Sequence, residues 1–155
     1  MLVFLDIDGV MVPAKSWKRP EFLNDGFPAF SGQATIALKQ LISVTDTVVL
    51  TTSHKGRFSL EEWKAIFNAR GINIENIAAL PTNVGNLTRL DEIVNWFTTN
   101  DVKDAFVIID DDAGLNALPG FLKSNFIQTS PTIGLTLAHV QAVKALTNTK
   151  VATVA

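Results

Sequence analysis

The sequence predicts an α/β domain built on a parallel sheet, and three observations carry that prediction. Short apolar runs alternate with longer amphipathic ones along the chain, the pattern of βαβ units. Leu2-Val3-Phe4-Leu5, Val48-Val49-Leu50 and Phe106-Val107-Ile108-Ile109 lack polar alternation, as strands buried on both faces do. Three of the strands then end in polar chemistry: Asp6-Ile7-Asp8, Thr51-Thr52-Ser53 and Asp110-Asp111-Asp112. A length of 155 residues suits one domain with its own core, and 47% hydrophobic against 18% charged residues is a globular balance.

The elements follow in order. Leu2 to Ile7 reads as the first strand. Met11 to Phe30 is punctuated by Pro13, Pro20 and Pro28, which makes it a loop with room for a flap. Ser31 suits a helix N-cap, with Ala34, Ala37, Leu38, Leu41 and Ile42 at helical spacing behind it. Thr47 to Thr51 is a second strand. Ser59 starts the next helix, with Glu61 and Glu62 in its acidic first turn and Gly71 ending it. Ile74 to Leu80 holds a third strand, and Leu87 to Thr98 a helix with Leu90, Ile93, Val94 and Phe97 on one face. Ala105 to Ile109 is a fourth strand, after which Asp112 serves as a cap or turn residue. Phe126 to Gln128 is a short fifth strand, and Leu135 to Leu146 the last helix.

Composition narrows the function classes. A net charge of -2 gives no global basic field, so nucleic-acid binding would need a local patch. The absence of cysteine removes thiolate metal sites and cysteine nucleophiles. There is no basic leader before Asp6 and no apolar stretch of membrane-spanning length, so the expectation is a soluble, cytoplasmic protein without a membrane partner.

Two carboxylates directly after a buried strand are costly unless a cation meets them. In open parallel sheets the functional crevice lies beyond the carboxyl ends of the strands, so Asp6, Asp8, Thr51 and the Asp110–Asp112 cluster can meet there. A hard cation such as Mg2+ prefers such oxygen ligands together with substrate phosphate. Asp6, at the rigid strand end, suits a nucleophile, since a carboxylate needs no activating base. Asp8, past it on the turn Gly9 allows, suits the proton donor to a leaving alcohol. Thr51 can donate to phosphoryl oxygens. His54 and His139 show no spacing that suggests a metal pair.

The stretches FLDIDGV, VVLTTS and VIIDDD, in this order and at these strand ends, resemble the first, second and fourth motifs of the haloacid dehalogenase (HAD) superfamily of aspartate-nucleophile phosphatases. More narrowly, TRLDEIVNWF, FVIIDDD and TIGLTLAHVQAVKAL resemble the small HAD domains associated with RNA-repair proteins. The resemblance implies a single Rossmann-like domain over residues 1–155, with a five-stranded parallel sheet of order 3-2-1-4-5 flanked by helices. It implies Asp6 as nucleophile and metal ligand, Asp8 as general acid/base ligating metal through its carbonyl, and Thr51 as phosphate holder. Asp111 becomes the Mg2+ ligand, with Asp110 as its rival. Where the family usually has a lysine at a helix start, this chain has Arg89, which keeps the charge and adds bidentate geometry.

The gaps between motifs have no room for a folded cap domain, and such an open site resembles those of the family that act on polymer ends or phosphoproteins, unless another subunit closes it. Lys15, Lys18 and Arg19 after the first strand, with Lys55 and Arg57 after the second, form a basic rim suited to a polyanion, where Trp17 can stack on a base. Thr52, Ser53, Lys55 and Lys15 are the substrate-binding candidates. The expected substrate is an accessible phosphomonoester, such as a nucleic-acid end or nucleotide. The alternatives are a small-metabolite phosphatase lidded by a partner subunit, and a non-catalytic phosphate-binding module. A receiver-type module is disfavoured because its acceptor aspartate closes the third strand, whereas this one ends in Ala78-Ala79-Leu80-Pro81. The oligomeric state is left open.

Overall fold

A computed structural model describes residues 1–14 and 19–154. Its elements are β1 (Leu2–Leu5), α1 (Gly32–Leu41), β2 (Thr47–Leu50), α2 (Leu60–Ala69), β3 (Asn76–Ala79), α3 (Arg89–Thr99), β4 (Phe106–Asp110), α4 (Gly120–Lys123), β5 (Phe126–Gln128) and α5 (Leu137–Val154). The five strands are all parallel, in the order β3-β2-β1-β4-β5. The architecture is the one expected from the sequence pattern, and the order is the one the resemblance implies. Among the described residues, no helix is long and apolar enough to cross a membrane.

Strand alternation divides the core. Val3, Leu5, Val48, Leu50, Val107 and Ile109 face one side, where Leu38 of α1, Trp63 and Phe67 of α2 and Val140 and Val143 of α5 cover them. Phe4, Val49 and Ile108 face the other, under Ile93 of α3 and Leu115. On that side the Phe4 ring meets Trp96 edge-on at 5.0 Å and lies 5.2 Å from Phe97.

The register places the site. Leu5 stands opposite both Leu50 and Ile109, so the next residue of each strand emerges at one level. The Asp6 amide donates to the Ile109 carbonyl at 3.1 Å, and the Thr51 amide to Leu5 at 3.0 Å. Asp6, Thr51 and Asp110 are therefore neighbours because three apolar runs are in step.

The starts of α1, α2 and α3 are fixed by side chains. Ser31 accepts from the Ala34 amide, and Ser59 with Glu62 forms a reciprocal capping box. Thr88 and Asp91 do the same for α3, which is why that helix begins at Arg89 rather than at Leu87. Leu135, expected inside the last helix, instead donates its amide to the Val10 carbonyl at 2.8 Å, and the helix starts two residues later. β3 is shorter than Ile74–Leu80 because its pairing spans only Thr47–Leu50 of β2. Asp112 caps the short turn Ala113–Ala117.

The segment expected as a flap is tied down where it is described. Arg70, just after α2, donates to Asp25 Oδ2 at 2.6 Å, to the Phe27 carbonyl at 2.9 Å and to the Pro28 carbonyl at 2.9 Å. Phe27 is 1% exposed and packs edge-on against Trp63 at 5.3 Å. Lys15, Trp17 and Lys18, which fall in the same segment, lie outside the described residues.

The hydrogen bond from Arg70 holds the Asp25 carboxyl below its ordinary value of 3.8. The unfolded chain then binds more protons in that range, so this contribution is complete above the ordinary value and is lost as pH falls through the depressed one. Asp25→Asn should lower stability near neutral pH by about 1 kcal/mol. Thermal melts of variant and wild type should converge in strong acid; a constant gap across the pH series would refute the assignment.

Candidate active site

The crevice is built from the turn after β1. The Ile7 carbonyl accepts from the amides of Val10, Met11 and Val12 at 2.8–3.1 Å, and Gly9 takes φ +78° between them. The Gly9 carbonyl accepts from Thr129 Oγ1 at 2.8 Å, which pins the turn to the end of β5. Glycine is needed here twice. A Cβ at this position would lie 2.1 Å from Asp111 Oδ2, so the space it would fill is where the carboxylate sits.

Asp6 is 4% exposed and Asp110 fully buried. Arg89 enters from the first turn of α3. Its Nη1 donates to Asp110 Oδ2 at 2.5 Å and to Thr51 Oγ1 at 3.5 Å, and stands 3.4 Å from Asp6 Oδ1. Asp6, Asp110 and Asp111 each bring a carboxylate oxygen into a group spanning no more than 4.8 Å. Asp6 and Asp110 thus share one guanidinium, with the Asp111 carboxylate beside them and outside its reach. Burial, then the charge of Asp110, pushes Asp6 up to about 8, with Arg89 offsetting part of the effect. Burial raises Asp110 as well, again opposed by Arg89. For Arg89 itself, burial works against the charge, but Asp110 and Asp6 more than offset it and raise its value.

Such a set is short of positive charge and made of hard oxygen donors, which fits a divalent cation such as Mg2+. Both Asp110 oxygens are already engaged, Oδ2 by Arg89 and Oδ1 by the Asp112 amide at 3.0 Å. The Asp111 carboxylate accepts no hydrogen bond among the described residues, so its oxygens are the freer pair for a metal.

Asp8 stands apart from this group. Its side chain is 61% exposed and meets His54 Nε2 at 2.9 Å. His54 carried no signal of its own in the sequence. The clue was its place directly after Thr51-Thr52-Ser53, which sends it to the same rim. Thr51 and Thr52 are buried, Thr52 Oγ1 accepts from the His54 amide at 3.2 Å, and Ser53 is exposed.

Lys55 departs from its expected place on a basic rim. It is 8% exposed, and its ammonium pairs with Glu92 Oε2 at 2.8 Å. The other Glu92 oxygen lies 3.9 Å from Arg89 Nε, one helical turn back. Glu92 therefore bridges two cations behind the site, a role its sequence position did not reveal. A cavity of about 240 Å³ opens beside the pair, lined by Ser53, Gly56, Thr82 and Asn83 as well. Arg57 lies over the Phe58 ring at 5.3 Å. Lys15 falls outside the described residues.

The Gly9 geometry gives a sharp test. If the cluster holds Mg2+, the ion should raise the wild-type melting temperature, and Gly9→Ala should displace the Asp111 carboxylate and largely erase that rise. Gly26→Ala is the control: φ there is +77° with nothing within 4 Å of an added Cβ, so it carries the same backbone strain without the collision. Equal Mg2+ shifts in both variants would detach Asp111 from metal binding.

A family model described as the HAD domain in Swiss Army Knife RNA repair proteins matches residues 2–140. No curated protein matches the chain.

Proposed function

The chain belongs to the family of HAD domains found in Swiss Army Knife RNA repair proteins, and on that premise we propose that it is a Mg2+-dependent phosphatase that forms an aspartyl-phosphate on Asp6. One observation carries the reading: the two carboxylates of one turn have opposite environments. Asp6 is buried in the acidic cluster, while Asp8 is exposed and outside it. A nucleophile and a proton donor need different surroundings, and a cation against Asp6 would ionise that buried carboxyl while the Asp8 side chain stays outside the cluster.

In the first step an Asp6 oxygen bonds to phosphorus as the bond to the leaving alcohol breaks, and Asp8 gives its proton to the departing alcohol oxygen. In the second, water attacks the phosphoryl group, Asp8 takes a proton from the water, and the Asp6 carboxylate is released with phosphate. Thr51 and Arg89 orient the phosphoryl oxygens and limit the charge at the nucleophile. Asp6, Asp111 and the Asp8 carbonyl would hold the Mg2+, whose charge would keep Asp6 ionised and draw in an anionic substrate.

The proposed substrate is a phosphomonoester at a nucleic-acid end or on a nucleotide. The family's link to RNA repair and the solvent exposure of Asp8 support it. An uncapped crevice and a cytoplasmic setting suit the same reading. Of the expected rim, Arg19 and Arg57 are the described cations that stay exposed, Lys55 being buried.

Phosphate release from phosphorylated oligonucleotides, nucleotides and sugar phosphates, assayed with Mg2+, tests the proposal. The oligonucleotide should have the highest kcat/KM, with an advantage that shrinks as salt rises. Asp8→Asn should lower kcat by about a hundredfold or more with little change in KM. A salt-insensitive preference for a sugar phosphate would favour the subunit-lidded metabolite enzyme, and no release from any ester would refute a phosphatase.

A further inference from the structure

We infer that His54 is a positioning residue for Asp8, selecting which carboxylate oxygen carries the transferred proton; the inference rests on the phosphatase reading. A carboxylate that is 61% exposed is free to rotate, and each productive encounter would have to reorder it. Among the described residues, its side chain has one hydrogen-bond partner, His54 Nε2 at 2.9 Å on Oδ2. With Oδ2 held, Oδ1 is the oxygen that gives its proton to the leaving alcohol and later takes one from water.

His54 is itself held firmly enough for this. Its amide donates to Thr52 Oγ1 at 3.2 Å, at the head of the short turn Lys55–Arg57. Its ring stands edge-on to Phe27, centroids 5.7 Å apart. Phe27 is fixed in turn, its amide donating to Asp25 Oδ1 at 3.0 Å and its carbonyl accepting from Arg70 at 2.9 Å. A rigid path thus runs from the end of α2 through the loop to the Asp8 carboxylate. Stability alone gives little reason for the pair, because an exposed side-chain contact of this kind contributes little to the folded state.

The role predicts a dependence on the leaving group. An alkyl phosphate needs its departing oxygen protonated, whereas dinitrophenolate leaves without a proton. His54→Phe keeps the edge contact with Phe27 and removes the hydrogen bond; His54→Gln keeps a donor. kcat/KM covers the steps up to alcohol release, so it isolates this proton transfer. The ratio of kcat/KM for an alkyl phosphate to that for dinitrophenyl phosphate should fall by about tenfold or more in His54→Phe. His54→Gln should restore most of the ratio, and in an Asp8→Asn background His54→Phe should lower it no further. Equal losses on both esters, or none, would overturn the inference. A wild-type protein inactive on both would instead refute the phosphatase reading, and this inference with it.

Discussion

Asp6→Asn is expected to abolish phosphate release and, in the absence of metal, to raise the melting temperature. The activity loss follows from chemistry: an amide cannot form the acyl phosphate, so turnover should fall by about ten-thousandfold or more. The stability gain follows from charge. Asp6 is ionised only at a cost in the folded protein, where burial and Asp110 raise it from the ordinary 3.8 to about 8. Between those values the native state binds more protons than the unfolded chain, so metal-free stability falls as pH rises through the window. Asparagine has no charge to bury. Its advantage over wild type should be absent below the lower value, grow through the window and level off above the upper one, at about 1–2 kcal/mol. Chelator-treated protein melted across a pH series, beside phosphate-release assays, gives both readouts. Near-normal turnover would end the nucleophile assignment, and a variant less stable than wild type above pH 8 would end the account of the charge.

Arg89→Ala should be the most destabilising of the site variants. It removes the cation that lies 2.5 Å from Asp110 and 3.4 Å from Asp6, leaving two buried carboxylates facing each other. Breaking a buried pair from one side costs about 3 kcal/mol or more, or roughly 10 °C in melting temperature for a chain of this size. Activity should fall about a hundredfold with it, as the charge at the phosphoryl group is lost. Arg89→Lys restores the residue usual at this place in the resembling family and keeps the charge. It should retain most of the stability and a larger share of kcat/KM than the alanine variant. Near-wild-type behaviour of both would remove Arg89 from the site's chemistry.

The strand ends were legible because unbroken apolar runs stop abruptly at Asp6, Thr51 and Asp110, and parallel topology sends such ends to one edge. Caps were legible at Ser31 and Ser59, whose local spacing carries the signal. What joins distant positions was not. His54 meets Asp8 across 46 residues and Lys55 meets Glu92 across 37, and no periodicity encodes either contact. Lys55 read as a surface charge because a lysine's sequence neighbours do not reveal a buried partner. Arg70 gave no sign of binding the loop at Asp25, 45 residues before it. Asp110 and Asp111 were rivals in sequence because adjacent carboxylates are chemically alike. They divide only once Arg89 and the Asp112 amide engage one, and the space above Gly9 receives the other.

The common level of Leu5, Leu50 and Ile109 has a consequence for how this domain tolerates change. The side chains of the candidate site sit one residue beyond a shared frame, so their alignment depends on counting as much as on residue identity. Exchanging one aliphatic side chain for another inside the strands leaves the frame intact. Inserting or deleting one residue between 2 and 6, 47 and 51, or 106 and 110 would shift one group by about 3.3 Å along the strand and turn it to the opposite face. The valines, leucines and isoleucines of these strands thus act as the ruler of the site, and length variation in descendants of this chain belongs in the loops.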